Sequence, residues 1–310
     1  MTDRGARPQP DSPIVNAMSV DVEDYFQVSA FDRIVSRDRW ANFDSRVAGN
    51  THRLLDLFDE TGVKATFFTL GWIAANHPEL VREIAARGHE VASHGYNHQL
   101  VYMLTPQQFR DDVRGAKAAL EDASGQEVVG FRAPSFSIVS SSLWALDVLI
   151  EEGYRYDTSI FPIHHDRYGI PDAPRHIHTI TRDAGTLIEM PGSTVKVGSV
   201  NVPIAGGGYF RLFPYGFTRW GMRRVNVAER EPVMFYMHPW EVDPDQPRLA
   251  AGATTRWRHY GGLHRTAGRL RRLIKEFPFA PVASVLDACQ PAALPNAVPW
   301  SGSRQLAIHQ

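Results

Sequence analysis

The sequence predicts an α/β fold, a distorted (β/α) barrel with about seven parallel strands. Three observations favour this fold. Short apolar runs typical of strands alternate with amphipathic runs typical of helices. The helical runs carry start and stop signals. Reactive polar residues directly follow several strand-like runs, and parallel barrels place their chemistry at the C-terminal ends of the strands.

The strand-like runs are short and apolar, and turn or polar residues bound them. They fall at residues 17–22, 65–70, 90–93, 128–131, 156–159, 187–190 and 233–237. The amphipathic helical runs fall at residues 51–61, 78–87, 106–124, 142–152, 217–229 and 263–277. Thr105 followed by Pro106 suits a helix start, and Gly62, Gly88 and Gly153 follow helical runs as stops.

These elements predict a single catalytic domain over residues 14–290. Residues 1–13 and 291–310 are biased toward Pro, Ser and Ala, which predicts flexible tails. Residues 160–215 break the alternation and predict an irregular insertion over the barrel mouth. Within it, Tyr209 and Arg211 could form a substrate-facing wall with a ring and a charge. The other interpretation of this stretch is a set of turns that caps the barrel.

The composition is that of an ordinary globular enzyme, with 43% hydrophobic and 22% charged residues. The net charge of −1 offers no basic surface for nucleic acid. A single cysteine, Cys289, excludes an internal disulfide and a cysteine-based zinc site. No apolar run follows the N-terminal charges, and no window approaches the roughly 20 apolar residues that span a bilayer. The sequence therefore predicts a cytoplasmic protein without a transmembrane segment, compatible with a place at the inner face of the membrane.

His94 and His98 lie four residues apart, just after the strand predicted at 90–93. Two imidazoles at this spacing can point the same way from one turn and share a divalent metal. One added carboxylate gives a two-histidine, one-carboxylate set that leaves open positions for water and substrate, as a catalytic site needs. Zinc fits this set, and so do Co, Fe, Mn and Ni. His89 is the weaker candidate because it lies at the opposite end of the strand.

The carboxylate of this set comes from the acidic cluster Asp21, Glu23 and Asp24. In a strand, Asp21 and Glu23 project to the same face, while Asp24 points away unless the strand has ended. Two acids on one face repel each other, which favours an arrangement in which one binds a cation and the other stays free. Which of these acids completes the metal set stays open at this point.

Five short motifs follow one another along the chain: Asp21-Val-Glu-Asp24, Ser93-His-Gly-Tyr-Asn-His98, Phe131-Arg-Ala-Pro134, Tyr156-Asp-Thr-Ser159 and Met237-His238. In this order they resemble the motifs of the NodB-type polysaccharide deacetylases, the carbohydrate esterases of family 4, over residues 16–285. The segments at 19–26 and 206–211 look most like the branch found beside bacterial exopolysaccharide and exosortase loci. The resemblance implies the NodB homology fold and the removal of N-acetyl groups from a sugar of a bacterial polysaccharide or its precursor.

The resemblance also implies a role for each matching residue. Asp21 would be the general base, held in place by Arg132. His238 would be the general acid, tuned by Asp157. The backbone amide of Ser135 would donate to the oxyanion.

For the metal, the resemblance implies His94, His98 and an acid of the first motif. Many family members have two adjacent aspartates in that motif, whereas the second acid here is Glu23 or Asp24. Strand alternation favours Glu23 as the ligand, and Asp24 is kept as the alternative. Trp240 follows the last motif, and its ring is equally a candidate for stacking on a sugar and for packing in the core.

Two other functions are compatible with these residues. One is a related amidohydrolase on the same scaffold that cleaves a small cyclic or acyclic amide such as allantoin. A pocket closed over small ligands would favour it, whereas an open groove would favour a glycan. The other is a catalytically silent glycan-binding protein, which is disfavoured because a competent residue fills every expected catalytic position.

Overall fold

The computed structural model describes residues 13–289, so the tails predicted at 1–13 and 291–310 fall outside it except for residue 13. The described chain forms a nine-stranded sheet whose strands are mostly parallel, with helices packed against it. This confirms the predicted α/β fold. Between residues 13 and 289, no helix is both long enough and apolar enough to cross a membrane.

The elements are numbered in chain order. The strands are β1 Asn16–Val22, β2 Thr66–Thr69, β3 Glu90–Ser93, β4 Gly130–Phe131, β5 Tyr156–Asp157, β6 His178–Arg182, β7 Gly185–Glu189, β8 Thr194–Val197, β9 Val200–Pro203, β10 Met234–Met237 and β11 Phe279–Ala280. The helices are α1 Val47–Thr61, α2 Gly71–Asn76, α3 Pro78–Ala86, α4 Pro106–Ser124, α5 Trp144–Glu151, α6 Gly207–Leu212, α7 Tyr215–Arg223, α8 Ala253–Tyr260, α9 Leu263–Glu276 and α10 Val282–Ala288.

The main sheet runs in the order β10-β1-β2-β3-β4-β5-β7-β6, and β11 adds to β1. All neighbours are parallel except β6 and β7, which form an antiparallel pair. Every strand predicted from the sequence is present. In the described residues no strand pairing joins β10 to β6. Instead, the hydroxyl of Ser193, directly before β8, accepts a hydrogen bond from the backbone N–H of Met234 in β10 at 2.8 Å.

Alternate residues of the strands face two different apolar layers. Val20 and Phe67 point outward and pack with the helices in the larger core. Ala17, Phe68 and Tyr236 point inward and form a second cluster inside the curved sheet. Because the polar Ser19 and Asp21 share this inward face and are buried, the inside of the sheet is where chemistry can be placed.

The helix boundaries follow the predicted signals. α4 begins with a capping box in which Thr105 and Gln108 satisfy each other's backbone N–H groups, and Pro106 occupies its first turn. α1 ends at Thr61, and Gly62 caps it with a left-handed φ of 69°. The insertion predicted as irregular is more ordered than expected, because residues 160–215 contain β6, the hairpin of β8 and β9, and helix α6.

Candidate active site and metal centre

Parallel pairing brings the polar strand ends together at one edge of the sheet. Val20 of β1 lies opposite Met237, Asp21 lies opposite Phe68, and Phe131 lies opposite Asp157. His94, Arg132 and His238 each follow the last residue of a strand in this array. Side chains far apart in sequence therefore meet around one cavity.

Glu23, His94 and His98 form a buried group that could hold a metal ion. Their ligand atoms all lie within 4.8 Å of one another. Glu23 Oε2 is 2.7 Å from His98 Nε2, but the two atoms are not aligned for a good hydrogen bond. His94 Nδ1 donates to the carbonyl oxygen of Arg132 at 2.8 Å, which leaves Nε2 as the acceptor atom of the ring.

The charges of this group suit a divalent cation. Burial opposes ionisation of Glu23, but the close contact with His98 and the charge of His238 outweigh burial and lower the pKa of Glu23 to about 2. Burial lowers the pKa of His94 to about 4. At neutral pH the acid is therefore a carboxylate and His94 is neutral, which are the forms that bind metals.

The loop that carries the two histidines is fixed by Asp112 of α4. The carboxylate of Asp112 accepts from the backbone N–H of Tyr96 at 2.8 Å and from that of Asn97 at 3.4 Å. Gly95 has a left-handed φ of 73°, and a side chain there would come within 2.8 Å of the Asp112 carboxylate. His98 itself has a φ of 51°, a conformation that residues other than glycine rarely adopt.

Asp24, the alternative ligand, points away from the histidines. Its Oδ2 accepts from the hydroxyl of Ser45 at 2.8 Å and from the backbone N–H of Arg46 and Val47 at 2.8 and 3.1 Å. These contacts tie the end of β1 to the start of α1. Of the two acids left open by the sequence, the structure brings Glu23 to the histidines.

Asp21 is held by Arg132. The fully buried guanidinium donates from one nitrogen to Asp21 Oδ1 at 2.5 Å and to the hydroxyl of Ser19 at 2.9 Å. Its Nε donates to Thr158 at 2.8 Å, and its carbon lies 4.1 Å from the ring centre of Phe68. Asp21 is thus an oriented and charge-compensated carboxylate.

His238 faces the same carboxylates from the other side. Its Nε2 lies 3.9 Å from Asp21 Oδ2 and 3.6 Å from Glu23 Oε1. Its Nδ1 donates to Glu241 Oε1 at 2.6 Å, and Glu241 Oε2 accepts from Arg211 Nε at 2.7 Å. Burial alone would lower the pKa of His238, but the hydrogen bond to Glu241 and the charges of Glu23, Glu241 and Asp21 raise it to about 9.

Asp157 does not take the position expected for the residue that tunes His238. It lies beside Glu189 in the register of β5 and β7, and its Oδ1 accepts from the hydroxyl of Ser159 at 2.5 Å. That hydroxyl in turn accepts from the backbone N–H of Ala133 at 2.7 Å. Burial raises the pKa of Asp157 to about 6 and that of Glu189 well above its ordinary value. Asp157 therefore supports the segment after Arg132, and Glu241 occupies the expected place.

The three candidate substrate-binding residues are placed differently from one another. Trp240 is 4% exposed. Its ring stacks with the ring of His238, with 5.0 Å between the ring centres, and with the ring of His259, with 4.1 Å between the ring centres. Its Nε1 donates to Glu23 Oε1 at 3.2 Å, so it belongs to the core of the site rather than to a sugar platform.

Arg211 is 3% exposed, and besides Glu241 it donates to the carbonyl oxygens of Arg258, His259 and Gly261. Tyr209 stacks against Phe213 at 6.2 Å. Tyr209, predicted to offer a stacking ring to the substrate, is not among the residues that border the cavity. Arg211 borders the cavity but is committed to bonds within the protein.

One cavity of about 250 Å³ connects these residues. Its deep end holds Asp21, Glu23, His94, His98 and His238, and its mouth includes residues of the insertion and of α8. Ser135 also borders it, with a left-handed φ of 53° and its hydroxyl 2.7 Å from that of Ser29.

Sequence reasoning missed Glu241 and His259 as members of the site. Glu241 lies three residues after His238, a spacing that places its carboxylate against the start of a short 3-10 turn. That spacing was available as a signal. His259 comes from α8, which was not predicted, so no signal connected it with Trp240.

Parts of the chain are similar in sequence to known proteins. Residues 36–156 match the profile of the family Polysaccharide deacetylase, and residues 158–287 match that of a Domain of unknown function (DUF3473). The chain is 35% identical over 99 residues to a chitooligosaccharide deacetylase of Bradyrhizobium sp. (strain ANU 289), a match that covers 32% of this chain and 43% of that protein. It is 32% identical over 116 residues to a peptidoglycan deacetylase of Helicobacter pylori, covering 37% of each.

The matched segments span less than half the length of these two curated relatives. A crystal structure of a polysaccharide deacetylase candidate from Mycobacterium smegmatis covers 96% of this chain and 98% of its own, with a TM-score of 0.62 and 22% identity. That likeness extends the shared fold over nearly the whole chain.

Proposed function

We propose that this chain, which carries a polysaccharide deacetylase domain of the NodB type, hydrolyses the N-acetyl group of a sugar in a bacterial polysaccharide or its precursor. One observation carries the proposal. The buried group Glu23, His94 and His98 faces an Arg132-bound Asp21 and a Glu241-bound His238 across a single cavity.

The donor set fits a divalent metal. It offers two imidazoles and one carboxylate, and the buried Glu23 Oε2 lacks a well-aligned hydrogen-bond donor. Zinc is our first choice, with Co, Fe, Mn and Ni compatible with the same ligands. When bound, such a metal polarises the acetyl carbonyl and makes water more acidic.

The chain's own residues supply the proton transfers. Asp21, fixed by Arg132, accepts the proton of the attacking water as general base. His238 stands on the other side and delivers a proton to the departing amine. Glu241 keeps Nδ1 of His238 protonated and directed away from the cavity, so that Nε2 faces the substrate.

The backbone N–H of Ser135 is proposed as the donor to the oxyanion that forms during attack. In other enzymes, one such donor lowers the barrier by about 3–4 kcal/mol. The left-handed backbone at Ser135 supports this role, because strained residues of this kind cluster at active sites.

A second candidate function is hydrolysis of a small amide such as allantoin. The cavity volume of about 250 Å³ favours it, since sites for larger ligands commonly measure about 300–1,000 Å³. The same residues would act in the same roles on the smaller substrate.

Metal analysis combined with acetate release tests both candidates. The purified protein should contain a divalent metal and release acetate from N-acetylglucosamine oligomers. Asp21→Asn should keep the metal and lose turnover, whereas His94→Ala should lose both. His52→Ala, on the outer helix α1, is the matched control and should change neither. An Asp21→Asn protein with full activity would refute the base assignment. Bound metal without acetate release from any glycan would favour the small amide.

A further inference from the structure

Two arginines at the mouth of the cavity have no carboxylate partner among residues 13–289. Arg167 lies in the insertion after β5, and Arg258 lies on α8. Both side chains are exposed, and both border the cavity that contains Asp21 and His238. The mouth therefore presents two free guanidinium groups above the reacting end.

The other arginines bordering or flanking this cavity are already neutralised. Arg132 is paired with Asp21, and Arg211 with Glu241. Arg37 lies 3.5 Å from Asp32. The positive mouth is also a local property, because the chain as a whole carries a net charge of −1.

The groups facing the two arginines leave the mouth positive. Two acids face them. Asp166 lies 3.0 Å from His165 Nδ1, and Asp32, whose pKa is affected by the charge of Arg167, is paired with Arg37 at 3.5 Å. Burial lowers the pKa of His165; the charge of Asp166 opposes this shift, whereas the charges of Arg258 and Arg167 add to it. His165, Arg167 and Arg258 all border the same cavity.

An aromatic surface lies between the rim and the deep end. Tyr168 is stacked on His165 at 3.9 Å and lies 5.9 Å from Phe136, which lies 5.0 Å from Tyr236. Tyr168, Phe136 and Tyr236 all border the cavity. Such a surface suits the apolar face of a sugar ring, with polar contacts reserved for its two ends.

We propose that the substrate carries an anionic group close to its N-acetylated sugar and that Arg167 and Arg258 bind this group. The inference rests on the proposed deacetylase function and narrows its substrate class to acidic glycans. The anion is either the carboxylate of a uronic acid or a phosphate, since a guanidinium binds both through paired N–H donors.

The test compares three substrates that contain the same N-acetylated sugar. These are a neutral N-acetylglucosamine tetramer, a tetramer that alternates N-acetylglucosamine with glucuronic acid, and N-acetylglucosamine 1-phosphate. The measured quantity is kcat/KM for acetate release, expressed as the ratio of each acidic substrate to the neutral one. The preferred acidic substrate identifies the source of the anion.

Arg258→Gln and Arg167→Gln should each lower the ratio for the preferred acidic substrate about tenfold, the effect of losing one hydrogen bond to a charged group. Arg256→Gln is the matched control. Arg256 lies on the same helix and carries the same charge, but it borders a different depression of the surface. Its ratio should stay at the wild-type value.

Two results would overturn the inference. In the first, the wild-type protein hydrolyses the neutral tetramer as efficiently as both acidic substrates. In the second, Arg256→Gln lowers the ratio as much as Arg258→Gln does, which would indicate only a general charge effect.

Direct binding separates failure of this inference from failure of the proposed function. Calorimetric titration of the same three compounds into the wild-type protein and the variants requires no turnover. Preferential binding of an acidic compound that Arg258→Gln abolishes would support the inference, even if no glycan released acetate. Equal binding of neutral and acidic compounds would overturn it, even in an active deacetylase.

Discussion

Replacing Glu241 by glutamine should weaken the general acid without emptying its pocket. Glutamine keeps the size of the side chain and one carbonyl acceptor for His238 Nδ1, but it removes the negative charge. A hydrogen bond to a charged partner contributes about 1.5–3 kcal/mol. Since about 1.4 kcal/mol corresponds to a tenfold change in rate, kcat should fall about ten- to hundredfold.

The same substitution should also change the pH dependence of the reaction. The carboxylate of Glu241 is one of the groups that raise the pKa of His238. A general acid must carry its proton, so activity is lost as the pH rises through that pKa. Without the carboxylate the pKa falls, and the alkaline limb of the profile should move about one to two units toward lower pH.

The assay is acetate release between about pH 5 and pH 10, together with metal content and thermal unfolding. Thermal unfolding is needed because Arg211 loses its carboxylate partner and retains only carbonyl acceptors. Asp157→Asn is the informative comparison, because sequence reasoning assigned the tuning role to Asp157. It should leave the alkaline limb in place. The assignment of Glu241 is wrong if Glu241→Gln keeps the alkaline limb of the wild-type pH profile and a kcat within about twofold of the wild-type value. It is also wrong if Asp157→Asn moves the limb instead.

Three further predictions concern the metal ligands and the stability of the fold. Glu23→Gln should lose the metal, whereas Asp24→Asn should keep it and lower the melting temperature; metal per chain is measured by mass spectrometry. Burial lowers the pKa of His89 from 6.5 to about 4, so the unfolded state binds more protons between these values and stability falls as the pH falls. The free energy of unfolding should fall by about 2 kcal/mol between about pH 7 and pH 5, and denaturant titrations should show that His89→Asn removes this pH dependence. Trp240→Phe should lower metal affinity about tenfold in metal titrations, because phenylalanine keeps an aromatic ring at this position but lacks the indole N–H that donates to Glu23.

Each of these predictions has a matched control. Metal retained in Glu23→Gln and lost in Asp24→Asn would reverse the ligand assignment. His264→Asn, on the exposed side of α9, should keep the wild-type acid dependence, and an unchanged slope in His89→Asn would contradict the account of that ring. Trp257→Phe, at a position 61% exposed, should bind metal like the wild type.

The parallel strands were predictable because each is an apolar run whose ends carry distinct signals. β3 and α4 have the predicted bounds, since a capping box and turn residues mark them in the sequence. Helix α8 escaped prediction for a physical reason. Among its residues only His259 is buried, so it has no apolar stripe. The hairpin of β8 and β9 is short and half exposed, so it lacks the alternation that identifies a strand.

The candidate site shows the same division between local and long-range information. His94 and His98 were found from their spacing, and strand alternation favoured Glu23 over Asp24. The resemblance implied Asp157 as the partner of His238, whereas Glu241 takes this place because the turn after β10 folds back onto the histidine. The environment of Trp240 was also hidden, since the ring on one of its faces comes from α8.

The position of Trp240 makes the acid and the metal ligand difficult to alter separately. One indole touches His238 through its ring, Glu23 through its N–H, and His259 on the remaining side. A substitution that reshapes the metal group will displace the acid as well, and the reverse holds. Laboratory evolution toward another metal or leaving group would therefore advance by paired changes, and libraries that vary one position at a time would record mostly losses.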